Sequence, residues 1–147
     1  MIQAQSLSTG GMHVKWDISN DHIEFEMTSP LKGWIAIGIN DKDDIVGANL
    51  IMASIRNKQL IIEDQFVTSP GEHKSVESLG GKSAISNYEG FESDGKTTIR
   101  FRLKLAALDK FHYDLEKGKE IVIICAYSES DDFGHHSRIR KHFKITL

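Results

Sequence analysis

The chain predicts an all-β fold, a β-sandwich of about nine to eleven mainly antiparallel strands. Short segments of alternating apolar and polar residues recur along its length, each bounded by turn residues. Two segments, Gly33–Ile39 and Ile121–Tyr127, are apolar at consecutive positions, as in strands buried on both faces. No stretch carries the spacing of a long amphipathic helix.

Met12, Val14, Trp16 and Ile18 alternate with His13, Lys15 and Asp17. After the turn Ser19-Asn20-Asp21, Ile23, Phe25 and Met27 alternate with Glu24 and Glu26, completing a hairpin that Pro30 ends. Gly33–Ile39 follows, then a solvated loop Asn40–Asp44. Ala48–Ile55 and Gln59–Val67 form a second hairpin across Arg56-Asn57-Lys58. Thr68–Asp94, rich in Gly, Ser and Pro, is expected to wrap the sheet edge with one short strand near Ala84–Tyr88. Asp94-Gly95 turns into Thr97–Leu105, which points Ile99, Phe101, Leu103 and Leu105 inward. A helical turn is expected within Leu105–Leu115. The chain closes with Ile121–Tyr127, an acidic loop ending in His135-His136, and a half-buried strand with Arg140, His142 and Lys144 on its outer face.

A length of 147 residues fits one domain, 1–147, with a substantial core. Hydrophobic content of 39%, charge of 27% and a net charge of −3 argue against disorder and against a nucleic-acid partner. No apolar run approaches the roughly 20 residues of a bilayer span, so no membrane insertion is expected. A single cysteine, Cys125, excludes an intrachain disulfide and reads as a buried thiol.

No catalytic motif is present: the chain lacks Gly-x-Ser-x-Gly, a phosphate-cradling glycine loop, Cys-x-x-Cys and His-Glu-x-x-His, and a non-enzymatic role is expected. The candidate ligand-binding residues lie elsewhere. His135 and His136 could ligate a transition metal or haem iron, but neighbours on an extended segment point opposite ways, so one at most would reach a pocket. Phe133 and Arg138 flank them, an aromatic and a polar group of the kind that holds sugars or planar ligands. Asp64 falls on an otherwise apolar strand face and is expected to bond backbone amides.

Taken in order, these segments resemble the DOMON domain family. Trp16 and Gly33-Trp34-Ile-Ala-Ile-Gly38 are similar to its early core strands, and Val46–Ile55 to its Met-x-Gly-Ala-Asp segment. Glu63-Asp64-Gln-Phe66 is similar to an Asp-Arg-Tyr position, and Lys74–Gly81 to a Lys-x-Asp…Gly-Gly stretch. Thr97–Asp109 is similar to Phe-x-Arg-x-Leu…Asp, and Cys125–Arg138 to a Trp-Ala-Tyr-Gly…His-x-x-Arg ending. The resemblance implies an immunoglobulin-like sandwich, secreted or periplasmic, that binds a small molecule, either haem b or a sugar. It also implies a redox or cell-surface protein partner. Met1–Gln5 lacks the basic and apolar regions of a signal peptide, so none is expected within this sequence, and Gln3-Ala4-Gln5 is similar to the remains of a cleavage region.

In haem-carrying members a methionine and a histidine hold the iron, which places His135 or His136 at one end of the site. Ile45, without a donor atom, stands where the methionine is expected, and Met52 is the nearest stand-in. Asn49, Val76 and His112 stand where the family places acids. The leading expectation is a non-catalytic small-ligand pocket between the two sheets near Trp34, Asn49, Asp64 and His135/His136. The alternatives are a b-type cytochrome with His136 (or His135) as axial ligand, and an interaction domain whose ligand site has decayed.

Overall fold

A computed structural model describes residues 5–147; Gln3 and Ala4 of the expected cleavage remnant lie outside the described residues. The strands are β1 (Gln5–Thr9), β2 (Met12–Ser19), β3 (His22–Ser29), β4 (Ile35–Asn40), β5 (Asn49–Arg56), β6 (Gln59–Ser69), β7 (Glu72–Ser75), β8 (Ile85–Ser93), β9 (Lys96–Lys104), β10 (Glu120–Tyr127) and β11 (Ile139–Thr146). Two antiparallel sheets, ordered β1-β2-β3-β9-β8 and β11-β10-β4-β5-β6-β7, make the expected sandwich.

The hairpins fall where the turn residues put them. Asn57 and Lys58 both take positive φ, 53° and 65°, as do Asp94 and Gly95 at 53° and 77°. Two consecutive left-handed residues match the right-handed twist of the flanking strands. Between the sheets, alternate residues of β2, β3 and β9 meet those of β4, β5 and β10. Phe25 stacks on Phe101 with ring centroids 5.5 Å apart, among Met12, Ile23, Ile37, Ile51 and Ile123. Cys125 belongs to this core, and burial pushes its thiol up to about 12, so it stays protonated and inert.

Three local expectations are corrected. β1 and β7 are additional edge strands whose exposed residues carry no clear alternation. β8 runs from Ile85 to Ser93, well past Tyr88, and a bulge between Ser86 and Glu89 obscures its period. The Leu105–Leu115 segment has no helix, only one turn from the His112 amide to the Asp109 carbonyl at 3.2 Å. There Asp109 accepts from the Phe111 amide at 3.0 Å and Asp114 from the Ala107 amide at 2.8 Å. These side chains take donors that a helix would need.

The centre of the six-stranded sheet is buried on both faces. β4 is buried at every position, and β5 and β10 at all but one terminal residue each. One face packs on the other sheet. The second face carries its own cluster: Trp34, Ala36, Leu50, Met52, Val67, Val122, Ile124, Ala126 and Phe133. No sheet lies over that face, so loops, or a ligand, must cover it.

Candidate ligand-binding site

A cavity of about 300 Å³ opens on this outer face. That is within the size range of small-ligand pockets. Alternation along β4, β5 and β10 sends Ala36, Leu50, Met52, Ile124 and Ala126 to its floor. Small side chains at 36 and 126, and none at Gly38, keep the floor low. A Cβ at Gly38 would come within 3.2 Å of the Ile124 Cβ. Around the rim stand His73, Glu72, His135, His136, Ser137 and Arg140.

The histidine loop is fastened to the start of β4. The Trp34 amide donates to the Ser130 carbonyl at 2.8 Å, and the Ser128 amide to the Trp34 carbonyl at 2.9 Å. The Trp34 indole N–H donates to the His135 carbonyl at 3.1 Å. Arg56 donates to the Asp131 carbonyl at 2.5 Å and lies over the Phe133 ring, 4.9 Å from its centre. Gly33 lets the loop approach, since a Cβ there would sit 2.0 Å from the Ser128 carbonyl oxygen. His135 and His136 stack, centroids 4.3 Å apart and 27° between planes. The His135 Nε2 is shielded from solvent without a hydrogen-bond partner; the Glu129 carboxylate, 3.9 Å away, is beyond bonding reach.

The expected site residues separate into two groups. Trp34, Met52, His135 and His136 come together on the cavity wall and floor. Phe133 sits behind the loop in the apolar cluster, and Arg138 points into solvent 3.9 Å from Glu129. Asn49 and Asp64 belong to a different place, which corrects the expectation of one pocket between the sheets. Their strands alternate, so Asn49 faces inward where Leu50 faces the cavity. Asn49 Nδ2 donates to Asp64 Oδ1 at 2.5 Å, and the Ala84 amide donates to Asp64 Oδ2 at 2.8 Å. His112 Nε2 lies 2.6 Å from Asp64 Oδ2, and its Nδ1 lies 2.7 Å from Asp109 Oδ1. Asp64 therefore bonds a backbone amide as expected, within a larger buried clamp. Sequence reasoning missed Arg140, His73 and the small floor residues. Their signal was the two-faced apolarity of β4 and β10, beyond what one opposing sheet requires.

Ile45 lines the same cavity from the loop after β4, whereas the histidine loop joins β4 at its start. The two flank the floor from opposite ends of the strand. Met52 pairs with Ala36 near the histidine end, on the floor of the same cavity. The donor set thus fits a haem held through a histidine nitrogen over an apolar floor. Trp34 lines the cavity wall with its indole N–H engaged, and Phe133 lies behind the histidine loop under Arg56.

The same architecture recurs in solved structures. The cytochrome domain of Myriococcum thermophilum cellobiose dehydrogenase superposes with a TM-score of 0.64 at 9% identity, covering 99% of this chain and 82% of that one. The cytochrome b domain of pyranose dehydrogenase from Coprinopsis cinerea gives 0.65 at 11% identity, covering 96% and 80%. These likenesses establish the fold. In sequence, MOXD1 homolog 2 of Drosophila melanogaster is 26% identical over 99 residues, 67% of this chain, and the match spans 13% of that protein's length. The model of the DOMON domain matches residues 8–128, and the chain belongs to the DOMON domain family.

Proposed function

We propose that this DOMON domain is a non-catalytic, secreted or periplasmic module that binds a flat, largely apolar ligand with acidic substituents, of the haem b class. The ligand lies on the outer face of the six-stranded sheet. His135 or His136 supplies the nitrogen for iron, and Arg140 with the rim histidines meets the acidic groups. One observation carries this reading: the sheet's second face is apolar and incompletely covered, beside a histidine nitrogen that is buried and unbonded. An apolar floor, with Arg140 and hydrogen-bonding histidines beside Glu72 on the rim, matches a ligand with a greasy body and carboxylate edges. Haem, when bound, brings a redox-active iron; the chain brings the shelf, the nitrogen and the exclusion of water.

The likeness to two cytochrome domains supports a second reading, a b-type electron-transfer domain serving a redox partner protein. Titration with haemin separates the readings. One-sided ligation predicts a high-spin ferric spectrum with a saturable Soret band, lost in the His135→Ala/His136→Ala double variant. A low-spin, six-coordinate spectrum would favour the electron-transfer reading. Absence of a saturable band, or a band indifferent to both histidines, would overturn the haem assignment.

A further inference from the structure

His112 is buried, and each of its ring nitrogens faces a carboxylate oxygen. A neutral imidazole has one N–H, so only the protonated ring donates to both Asp64 and Asp109. Asp64 also accepts from Asn49 and from the Ala84 amide, and Asp109 from the Lys82 and Phe111 amides. The imidazolium therefore ties β6 and the chain before β8 to the loop between β9 and β10. Gly81 lets these segments close: a Cβ there would lie 2.7 Å from Asp109 Oδ2 and 2.5 Å from a Val76 methyl.

The next residue bonds the loop that carries Ile45. Tyr113 donates its hydroxyl proton to the Gly47 carbonyl at 2.6 Å, with the Asn40 side-chain oxygen 3.1 Å away. Asn40 in turn donates to the Asp44 and Val46 carbonyls at 2.7 and 3.2 Å. These bonds bracket Ile45, which lines the ligand cavity. Burial, then the charge of Asp41, pushes the Tyr113 phenol up, so it remains a donor through neutral pH.

We propose that His112 is a positioning residue for the ligand cavity: clamped between Asp64 and Asp109, it fixes the loop from which Tyr113 holds Ile45 in the cavity wall. The proposal rests on the ligand reading only for its link to affinity; the link to the wall stands alone. The charged and titratable groups around the ring are Asp64 on β6, Asp109 on its own loop, Lys104 at the end of β9 and Tyr113. Burial opposes a charge on His112, but the bonds and charges of Asp64 and then Asp109 outweigh it and raise its pKa. Loss of that proton removes the ring's N–H from one of the two carboxylates and loosens the loop.

The test needs no ligand. In the whole chain, His112 ring resonances and the protection factor of the Gly47 amide, which donates to the Val67 carbonyl at 2.9 Å, are followed from pH 5 to 9. Gly47 protection is expected to fall at least about fivefold, the small end of a typical coupling, at the same midpoint as His112 deprotonation. Tyr113→Phe should remove that fall while His112 still titrates above the ordinary histidine range. Protection that stays level through the His112 midpoint, or that falls equally in Tyr113→Phe, overturns the proposal, and the wild-type titration decides even if His112→Gln fails to fold. Haemin affinity should follow the same pH profile; no haemin binding at any pH would instead count against the ligand reading.

Discussion

Two histidine environments sit on opposite faces of strand β5 and contrast in every respect that matters. His112, on the inner side, has a carboxylate at each ring nitrogen and almost no solvent contact. His135, on the outer side, has a buried Nε2 with no partner and an apolar floor beside it. A polar group buried with all its bonds made serves the fold, because its removal strands its partners. One buried with none made costs stability unless something else completes it. On the proposed reading, the first histidine serves the architecture and the second the ligand.

Asp64→Ala should break this contrast most severely. It would leave the His112 imidazolium with one carboxylate, take one acceptor from Asn49 and strand the Ala84 amide, a buried-pair disruption of about 3–5 kcal/mol in urea unfolding. A loss below about 1 kcal/mol would mean the clamp is not a closed network.

Stability should next depend on pH through the same clamp. His112 binds its proton more tightly when folded, so its contribution is complete below about pH 6.5 and disappears as pH rises through its raised native value. Asp109 behaves conversely. Burial works against its charge, yet the Lys82 and Phe111 amides and His112 hold it below the usual carboxylate range. Its contribution is complete above about 3.8 and is lost as pH falls through its lower native value. Unfolding free energy should therefore decline on both sides of a plateau, by at most about 1.4 kcal/mol per pH unit for each proton. In His112→Gln the alkaline decline should vanish.

The smallest effect sharpens the other side. The His135→Ala/His136→Ala variant should unfold within about 0.5 kcal/mol of wild type, since neither ring nitrogen completes a bond that the fold needs. A substantial loss in the same urea series would move the pair into the structural class.

The sandwich was legible because each hairpin announced itself twice, by alternation and by turn residues such as Asp94-Gly95. β1 and β7 were not, because edge strands half in solvent have no apolar face to betray their period. The expected helical turn failed through local competition, Asp109 and Asp114 capturing amides that composition alone left free. In the site, the histidine pair and Trp34 were legible from pattern and resemblance. The separation of Asn49 and Asp64 from them was not, because a one-residue step along a strand changes face and nothing in a resemblance specifies which face a pocket occupies. Asn49 and His112 meet Asp64 in one network, which belongs to the clamp and not to the cavity.

The central claim is that the ligand sits on the outer face of the six-stranded sheet, against the histidine loop. Amide shift mapping of the isotope-labelled chain with gallium protoporphyrin, a diamagnetic stand-in for haem, tests it directly. The account predicts saturable shifts at Ala36, Leu50, Met52, Ile124, Ala126, His135 and His136, with Ile51, Asp64 and Phe101 little moved. Shifts concentrated between the sheets, or confined to the exposed Tyr88 and Phe91 on β8, would contradict it.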